Sequence, residues 1–515
     1  MRSYRYILSI SLLVLSLAYT LWFVFAGFGN HQDPLYWLYK YEHLEGGWLA
    51  IGTLLTGGAF VRIFGAQLLP LRLLGWLCTT MAIALPYCCL LPKEQQRDNL
   101  YWLALAYLFM GYGAFQEFSP GTLSVLLLSA LWVTAVKFDI RNHKFEFIPA
   151  ILLGLAVAAR FPNILALLVL IPLWKKRCLW NIPIAALTAG IVYLLGYFLV
   201  TSAVADAAIS SHNLWPMVTK LWTNGGKLVG FLFLAVGVLA IGKYSFYNYK
   251  YTIALGVAVG IALVFFVAYA IKPHQWYNTD LTYLLSALCL VIALNSRSSI
   301  SNLKYIIVGV ALMVVATFGT DTAWLKLFPA VLCLLPVTVV QYEEKERNYL
   351  CCVLAVFSVI VMARMTTNSV AQSNLTKVQT FASVAPYTGI AIRETGQQRL
   401  TQYKTDYDSL ITNSQSQILA VGQDMHLMRA VTGCEAARYN EFWSNIFDSV
   451  YTAKYREIIQ AEKPIVFCSF SPQFKTKPEY KDKESRIEQM LLDEGYMVLD
   501  RSQYKYMIYL PSNDQ

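Results

Sequence analysis

From the N-terminus to about residue 363 the chain is a succession of apolar, charge-free runs. Backbone in hydrocarbon has no water to bond, so such runs fold as helices packed together in a bilayer. Thirteen are predicted, near 7–26, 69–91, 99–116, 119–136, 147–159, 161–174, 178–200, 228–242, 251–271, 281–296, 305–319, 327–341 and 348–363. Several fall short of the roughly 20 residues that a helical crossing takes. Charged residues make up 14% of the 515 positions and hydrophobic ones 57%, where a soluble domain is about 25% charged. This composition excludes a soluble enzyme, a disordered chain and a small disulfide-stapled module.

The runs 147–159 and 161–174 meet at Arg160. They read as a tight hairpin with Arg160 at its outer tip, because an arginine at the bilayer centre costs roughly 3 kcal/mol or more. One long tilted helix is the alternative, and it would invert everything downstream. Lys/Arg bias sets orientation. With the N-terminus inside, the inner loops hold 16 basic and 7 acidic residues, the outer loops 9 and 7, and the tail 16 and 17. The net charge of +10 is therefore an orientation signal, and nucleic acid is not needed to account for it. The first run follows Arg2 and Arg5 as a signal peptide would, but no A-x-A-like site closes it, so it counts as the first span. The apolar, Gly/Thr-rich segment 47–61 is expected to lie in or dip into the interface within one outer loop, 27–68.

The fold expected is thus a polytopic α-helical membrane core over 1–368, with about 13 spans, and an extracytoplasmic α/β domain over 369–515. In that tail ILAVG at 418–422 and PIVFCSF at 464–470 read as buried strands. YMVLD at 496–500 and YKYMIYL at 504–510 read as a closing pair, and 449–462 and 482–495 have helical spacing. Eight of the ten cysteines sit in or beside spans, as small apolar packing. Cys434 and Cys468 fall in the tail, where an oxidising compartment permits a disulfide. No CxxC, HExxH or Walker A pattern occurs, so neither a zinc site nor ATP hydrolysis is expected.

The chemistry-bearing residues lie on the outer side. Asp33 follows the first span within a few residues, beside Pro34, and reads either as a turn residue or as a membrane-level carboxylate. Glu117, in FQEFSPG, is the only charge in the turn between the third and fourth spans. It reads as a helix-end carboxylate, or as one sharing a pocket with Asp33. Arg72, Arg160 and Lys326 stand at outer span ends, where they either snorkel to headgroups or meet a lipid phosphate. His212 in SSHNLWP and His274 in KPHQWYN have aromatic neighbours, which anchor at interfaces and also stack on sugars. Asp321, in FGTDTAWLK, is a third outer carboxylate, with Lys326 as a candidate partner.

The order of these features resembles a known family. An apolar span is followed by a loop with an early Asp (Asp33-Pro34) and by Ile63-Phe64-Gly65. Then come Leu71-Arg72-Leu73-Leu74-Gly75, the acidic turn at Glu117, GLAVAARFPN at 154–163 and Lys175-Lys176-Arg177. This succession is similar to the GT-C glycosyltransferases, in the branch of the protein O-mannosyltransferases and the aminoarabinose transferase of lipid A. The resemblance covers roughly 7–177 and is one of topology beyond. The family's first loop often reads Asp-Glu and its second carboxylate is often Asp, where this chain has Asp33-Pro34 and Glu117.

The resemblance implies transfer of a sugar from a polyprenyl-phosphate carrier to a glycan, lipid or protein acceptor on the outer face, with inversion. Asp33 matches the family's base, Glu117 its second carboxylate, and Arg72, Arg160 and Lys326 would meet the donor phosphate. His212, His274 and Asp321 are further candidates for holding substrate. No cofactor is implied, although relatives that transfer oligosaccharides use a divalent cation and so leave one open. The cell implied is bacterial and the membrane its inner one, with the N-terminus cytoplasmic and the tail periplasmic. Two rivals remain. A transporter of lipid-linked glycans would favour mid-membrane charges or inverted repeats, and a polysaccharide polymerase or ligase would carry its large loop late among the spans.

Overall fold

The computed structural model describes residues 2–26, 32–45, 48–110, 117–141, 147–200, 214–249, 277–296, 300–318, 327–367, 380–413, 418–422, 425–432, 449–469, 488–504 and 506–512. The first helix is α1 (Arg2–Phe25). The predicted outer loop that follows it is largely helical: α2 (Gln32–His43), a 3-10 turn at Trp48–Ala50 and α3 (Ile51–Phe64), with α2 and α3 bent 98° apart. Then come α4 (Leu68–Leu90), α5 (Lys93–Asp98), α6 (Leu100–Met110), α7 (Pro120–Arg141), α8 (Phe147–Ala159), α9 (Ala166–Trp174) and α10 (Cys178–Leu199). The remaining helices of this body are α11 (Leu214–Tyr249), α12 (Tyr277–Leu294), α13 (Ile300–Val315), α14 (Leu327–Leu332), α15 (Leu335–Thr338) and α16 (Glu344–Thr367).

Among the described residues, five of the thirteen predicted runs fall on helices long and apolar enough to cross a membrane: Tyr6–Phe25, Leu68–Leu90, Pro120–Asp139, Cys178–Leu199 and Trp222–Ala240. Six fall on shorter apolar helices or helix pairs. The run 251–271 lies outside the described residues, and 348–363 lies within α16. Among the short helices, α6 owes its composition to burial. In α6 every residue from Trp102 to Met110 is buried, so it is apolar all round because neighbours surround it. On α10 and α11, in contrast, Leu187, Phe198, Trp222 and Phe233 are largely exposed. Apolar surface of that extent calls for lipid, and the protein is an integral membrane one.

Among the described residues, ion pairs and buried charges gather at helix ends. The Lys304 Nζ lies 2.8 Å from Asp139 Oδ2, and Lys243 Nζ lies 2.8 Å from Glu346 Oε1. All four residues belong to predicted inner loops. Arg72, Glu117 and Arg160, all predicted outer, are found at helix termini of the opposite end. The direction of the chain around Arg160 follows from glycine contacts. Gly154 abuts Ala185 and Thr188 of α10, Gly52 abuts Ala158, and Gly196, further along α10, abuts Ile51. The helices α8 and α10 therefore run the same way, and residues 160–177 return between them. The reversal is wider than a tight hairpin, because a 3-10 segment, Phe161–Leu165, is interposed.

Beyond the bundle, β1 (Thr380–Phe381) pairs antiparallel with β2 (Ala391–Ile392). The following elements are α17 (Glu394–Asn413), β3 (Ile418–Gly422), α18 (Met425–Thr432), α19 (Ser449–Glu462), β4 (Ile465–Ser469), β5 (Met497–Arg501) and β6 (Tyr506–Leu510). The sheet order is β3-β4-β6-β5, with β3 and β4 parallel and the other pairs antiparallel. Asp406 fastens α17 to this sheet: it is held by Arg501 Nε at 2.9 Å, by the Tyr506 hydroxyl and by Gln402 Nε2 at 3.0 Å. Cys468 is buried in β4, and Cys434 lies outside the described residues.

The predicted division at 369 is crossed by a hydrophobic core. Leu35, Leu38, Tyr41, Ile51 and Leu71 pack in one cluster with Tyr387, Ile390, Tyr403, Phe467 and Tyr506. The backbone joins across the same seam, through a parallel bridge between Ala26 and Ala391 and a hydrogen bond from Leu68 N to Pro386 O at 3.0 Å.

Candidate active site

The site is built where the start of α4 meets the turn before α7. A Cβ at Gly75 would stand 2.5 Å from the carbonyl carbon of Glu117 and 2.7 Å from Phe118 N. Only glycine permits this approach. The contact is locked by Phe118 N donating to Leu71 O at 3.1 Å, and by the Tyr41 hydroxyl of α2 donating to Phe118 O at 3.2 Å. One turn from Gly75, Arg72 directs Nη2 to within 3.4 Å of Glu117 Oε1; its side chain is 0% exposed and that of Glu117 16%. Two residues expected to serve separately, one on phosphate and one as a carboxylate, thus form a buried ion pair. Arg72 has no access to headgroups, so snorkelling does not describe it.

The hairpin of β1 and β2 supplies a third member. Tyr387 is fully buried, and the segment carrying it docks on α4 through Pro386 and through Gly389 against Leu69. Burial holds its phenol well above the usual tyrosine range, with the Arg72 charge opposing and the Glu117 charge adding to the shift. No sequence signal pointed to Tyr387, because its element is two residues wide on each strand.

Asp33 stands in the first turn of α2, where the helix dipole favours a carboxylate; its side chain lies outside the described residues. The rest of α2 is an aromatic helix held against α18. Arg429 sits 3.1 Å above the centre of the Tyr39 ring, His426 meets Tyr36 edge-on at 5.4 Å, and Lys40 Nζ lies 4.4 Å from the centre of the Tyr36 ring. Burial, with the Lys40 charge adding to it, lowers the His426 imidazole to about 4.

Arg160 follows α8 and is also buried. Its Nη1 donates to Ala316 O at 2.7 Å, just past α13, where a helix C-terminus favours a cation. Its Nη2 is buried with no hydrogen-bond partner among the described residues. Asn163 braces the turn: its N–H donates to Arg160 O at 2.9 Å, and its Nδ2 donates to Ser124 Oγ at 2.9 Å and Ala156 O at 2.8 Å. Thr53 of α3 ties in from the other side, donating to Ala159 O at 2.8 Å. Asn163 lay inside the GLAVAARFPN motif, and its role as a brace was not legible there.

His212, His274, Asp321 and Lys326 lie outside the described residues. Among the described residues no three His, Cys, Asp or Glu side chains gather so as to hold a metal ion. What the arrangement offers is an Arg–Glu pair with a buried arginine and a tyrosine near it, and a buried guanidinium with one nitrogen uncommitted among the described residues.

No model of a protein family matches the chain, and no curated protein matches it. Among solved structures it is similar to ArnT from Cupriavidus metallidurans bound to undecaprenyl phosphate, with a TM-score of 0.42 and 12% identity over 97% of each chain. It is likewise similar to ArnT from Cupriavidus metallidurans in the apo state, with a TM-score of 0.40 and 10% identity over 97% of each chain.

Proposed function

We propose that this protein is a membrane glycosyltransferase of the GT-C class, which moves a sugar from a polyprenyl-phosphate carrier to a glycan, lipid or protein acceptor on the outer face of a bacterial inner membrane. Residues 1–368 form its catalytic core, with thirteen spans, and 369–515 an extracytoplasmic α/β unit. The observation that carries the reading is Arg160: its guanidinium is buried just past α8, with Nη2 uncommitted among the described residues. A buried cation with an idle donor calls for an anion, and a lipid phosphate entering from the membrane is one.

The residues account for the reaction. The acceptor hydroxyl attacks the anomeric carbon and gives its proton to the Asp33 carboxylate. The bond from that carbon to the phosphate oxygen breaks, its electron pair leaves with the phosphate, and the centre inverts. The leaving group is stable as an anion, so it takes cations rather than a general acid. Arg160 supplies one and Lys326 a second, with Asp321 a further candidate for holding substrate. The Arg72–Glu117 pair fixes the distance between α4 and the turn before α7, and Glu117 keeps the exposed edge of that pair toward the substrates. His212 and His274 are further candidates for holding the sugar.

The test is to incubate the purified protein with a polyprenyl-phosphate-linked sugar and to follow release of polyprenyl phosphate, with and without a chelator. Release that requires Asp33 is the expected result, and the chelator arm decides whether a divalent cation takes part. Intact donor carried across a vesicle membrane, with no bond broken, would establish the transporter instead.

A further inference from the structure

The C-terminal unit meets the first outer helix through one short helix, and the chemistry of that contact is specific. On α18, Leu427, Met428 and Val431 are buried with the sheet in the shared core, while His426 and Arg429 are directed at α2. Arg429 lies 3.1 Å from the centre of the Tyr39 ring, which is itself stacked on His43 at 4.2 Å and donates through its hydroxyl to Glu45 Oε2 at 3.0 Å. His426 packs on Tyr36, and Lys40 lies close to the same ring. From the other side α2 is pressed against α3, with Gly57 under the Tyr41 ring and Gly58 under Leu44. The helix is therefore gripped between a membrane element and the sheet. Asp33 stands one turn before Tyr36 on this helix.

We infer that α18 is a clamp that sets the position of α2, and that Arg429 and His426 are positioning residues for the chemistry at Asp33. The inference rests on the reading of Asp33 as the base. A cation held over an aromatic face is attracted by the ring quadrupole, more strongly where water is excluded, and here both partners are held in place by packing. A base must sit within hydrogen-bond reach of the proton it removes, and a displacement of about 1 Å costs on the order of 100-fold in rate. The sheet thus acts on the reaction through Arg429 and Tyr39 without touching substrate.

The experiment uses the full-length protein and reads two quantities separately. Transfer kinetics give kcat and the donor KM. The labelling rate of a cysteine at Gln32 (Gln32→Cys) by a soluble maleimide reports on the start of α2 without reference to activity. Arg429→Ala is expected to lower kcat roughly 10- to 100-fold with the donor KM unchanged, and to raise labelling at position 32. Arg429→Lys keeps a cation over Tyr39 and restores most of kcat. Tyr39→Phe, which keeps the ring, stays near wild type, whereas Tyr39→Leu follows Arg429→Ala and serves where that variant does not fold. Wild-type kcat and wild-type labelling in both Arg429→Ala and Tyr39→Leu would overturn the clamp. A wild-type protein with no transfer activity would overturn the functional reading instead, and the labelling rates would still decide the clamp.

Discussion

Arg72 Nη2 lies 3.4 Å from Glu117 Oε1, joining α4 to the turn that opens α7. Breaking an ion pair withdrawn from water typically costs about 3–5 kcal/mol. Glu117→Gln should therefore lower the thermal midpoint of the detergent-solubilised protein markedly. The double variant Arg72→Met, Glu117→Gln should lose less than the two single losses together, because the two changes share one contact. Additive losses would show that the pair is not coupled.

Gly75→Ala tests the same contact by volume. The new methyl group would stand 2.5 Å from the Glu117 carbonyl carbon, against backbone that cannot rotate away. Overpacking of this kind costs about 1–3 kcal/mol. The expected result is a lower midpoint together with lower transfer activity, since Glu117 moves with the backbone. Gly190, which has open space around its Cβ position, is the control: Gly190→Ala should change neither.

Arg160→Ala removes both the hydrogen bond to Ala316 O and the uncommitted Nη2. The donor KM should rise more for Arg160→Ala than for Arg160→Lys, since lysine keeps the charge and loses the planar fork. Equal donor KM values in the wild type and both variants would confine Arg160 to tying α8 to α13.

Asp33→Asn keeps size and removes the proton acceptor. General-base contributions run roughly 100- to 10,000-fold, so transfer should fall by that order while donor binding, measured by equilibrium titration, stays in place. A well-folded Asp33→Asn protein with most of its activity would remove Asp33 from the mechanism, and an inactive Glu117→Gln protein would then move the base to Glu117.

His426 makes the α2–α18 contact acid-sensitive. Its folded-state value of about 4 lies below the ordinary 6.5, so the unfolded chain takes up the proton first as pH falls. The stability tied to this group is complete above about pH 6.5 and is lost as pH falls toward about 4, by about 3 kcal/mol in all. His426→Phe should flatten that part of the stability–pH curve, measured by denaturation at fixed temperature between pH 4 and 7.

Much of the tail was legible. The predicted strand at 418–422 and helix at 449–462 match β3 and α19 residue for residue, and the predicted closing pair is found as β5 and β6, which run antiparallel. These are continuous apolar runs or clean helical spacings bounded by polar residues, so local pattern decides them. The depth of Arg72 and Arg160 along their helices was also legible, since both lie at the end opposite the Lys304–Asp139 and Lys243–Glu346 pairs. Their azimuth was not: sequence position says how far along a span a residue stands, not whether it faces lipid or a neighbouring helix. Tyr387, Asn163 and the α2–α18 contact depend on segments brought together from distant parts of the chain, which no local period encodes.

The bridge between Ala26 and Ala391, with the core around it, has a consequence for synthesis. Its two strands of backbone are separated by roughly 360 residues, so at ~5–20 residues per second roughly 20–70 s pass between their appearances. Throughout that interval α2 is made and its partner α18 is not, and the face formed by Tyr36, Tyr39 and Lys40 stays uncovered at the membrane surface. Until the sheet is made this face lacks its native cover, and transiently uncovered apolar surface of that kind is where misassembly begins.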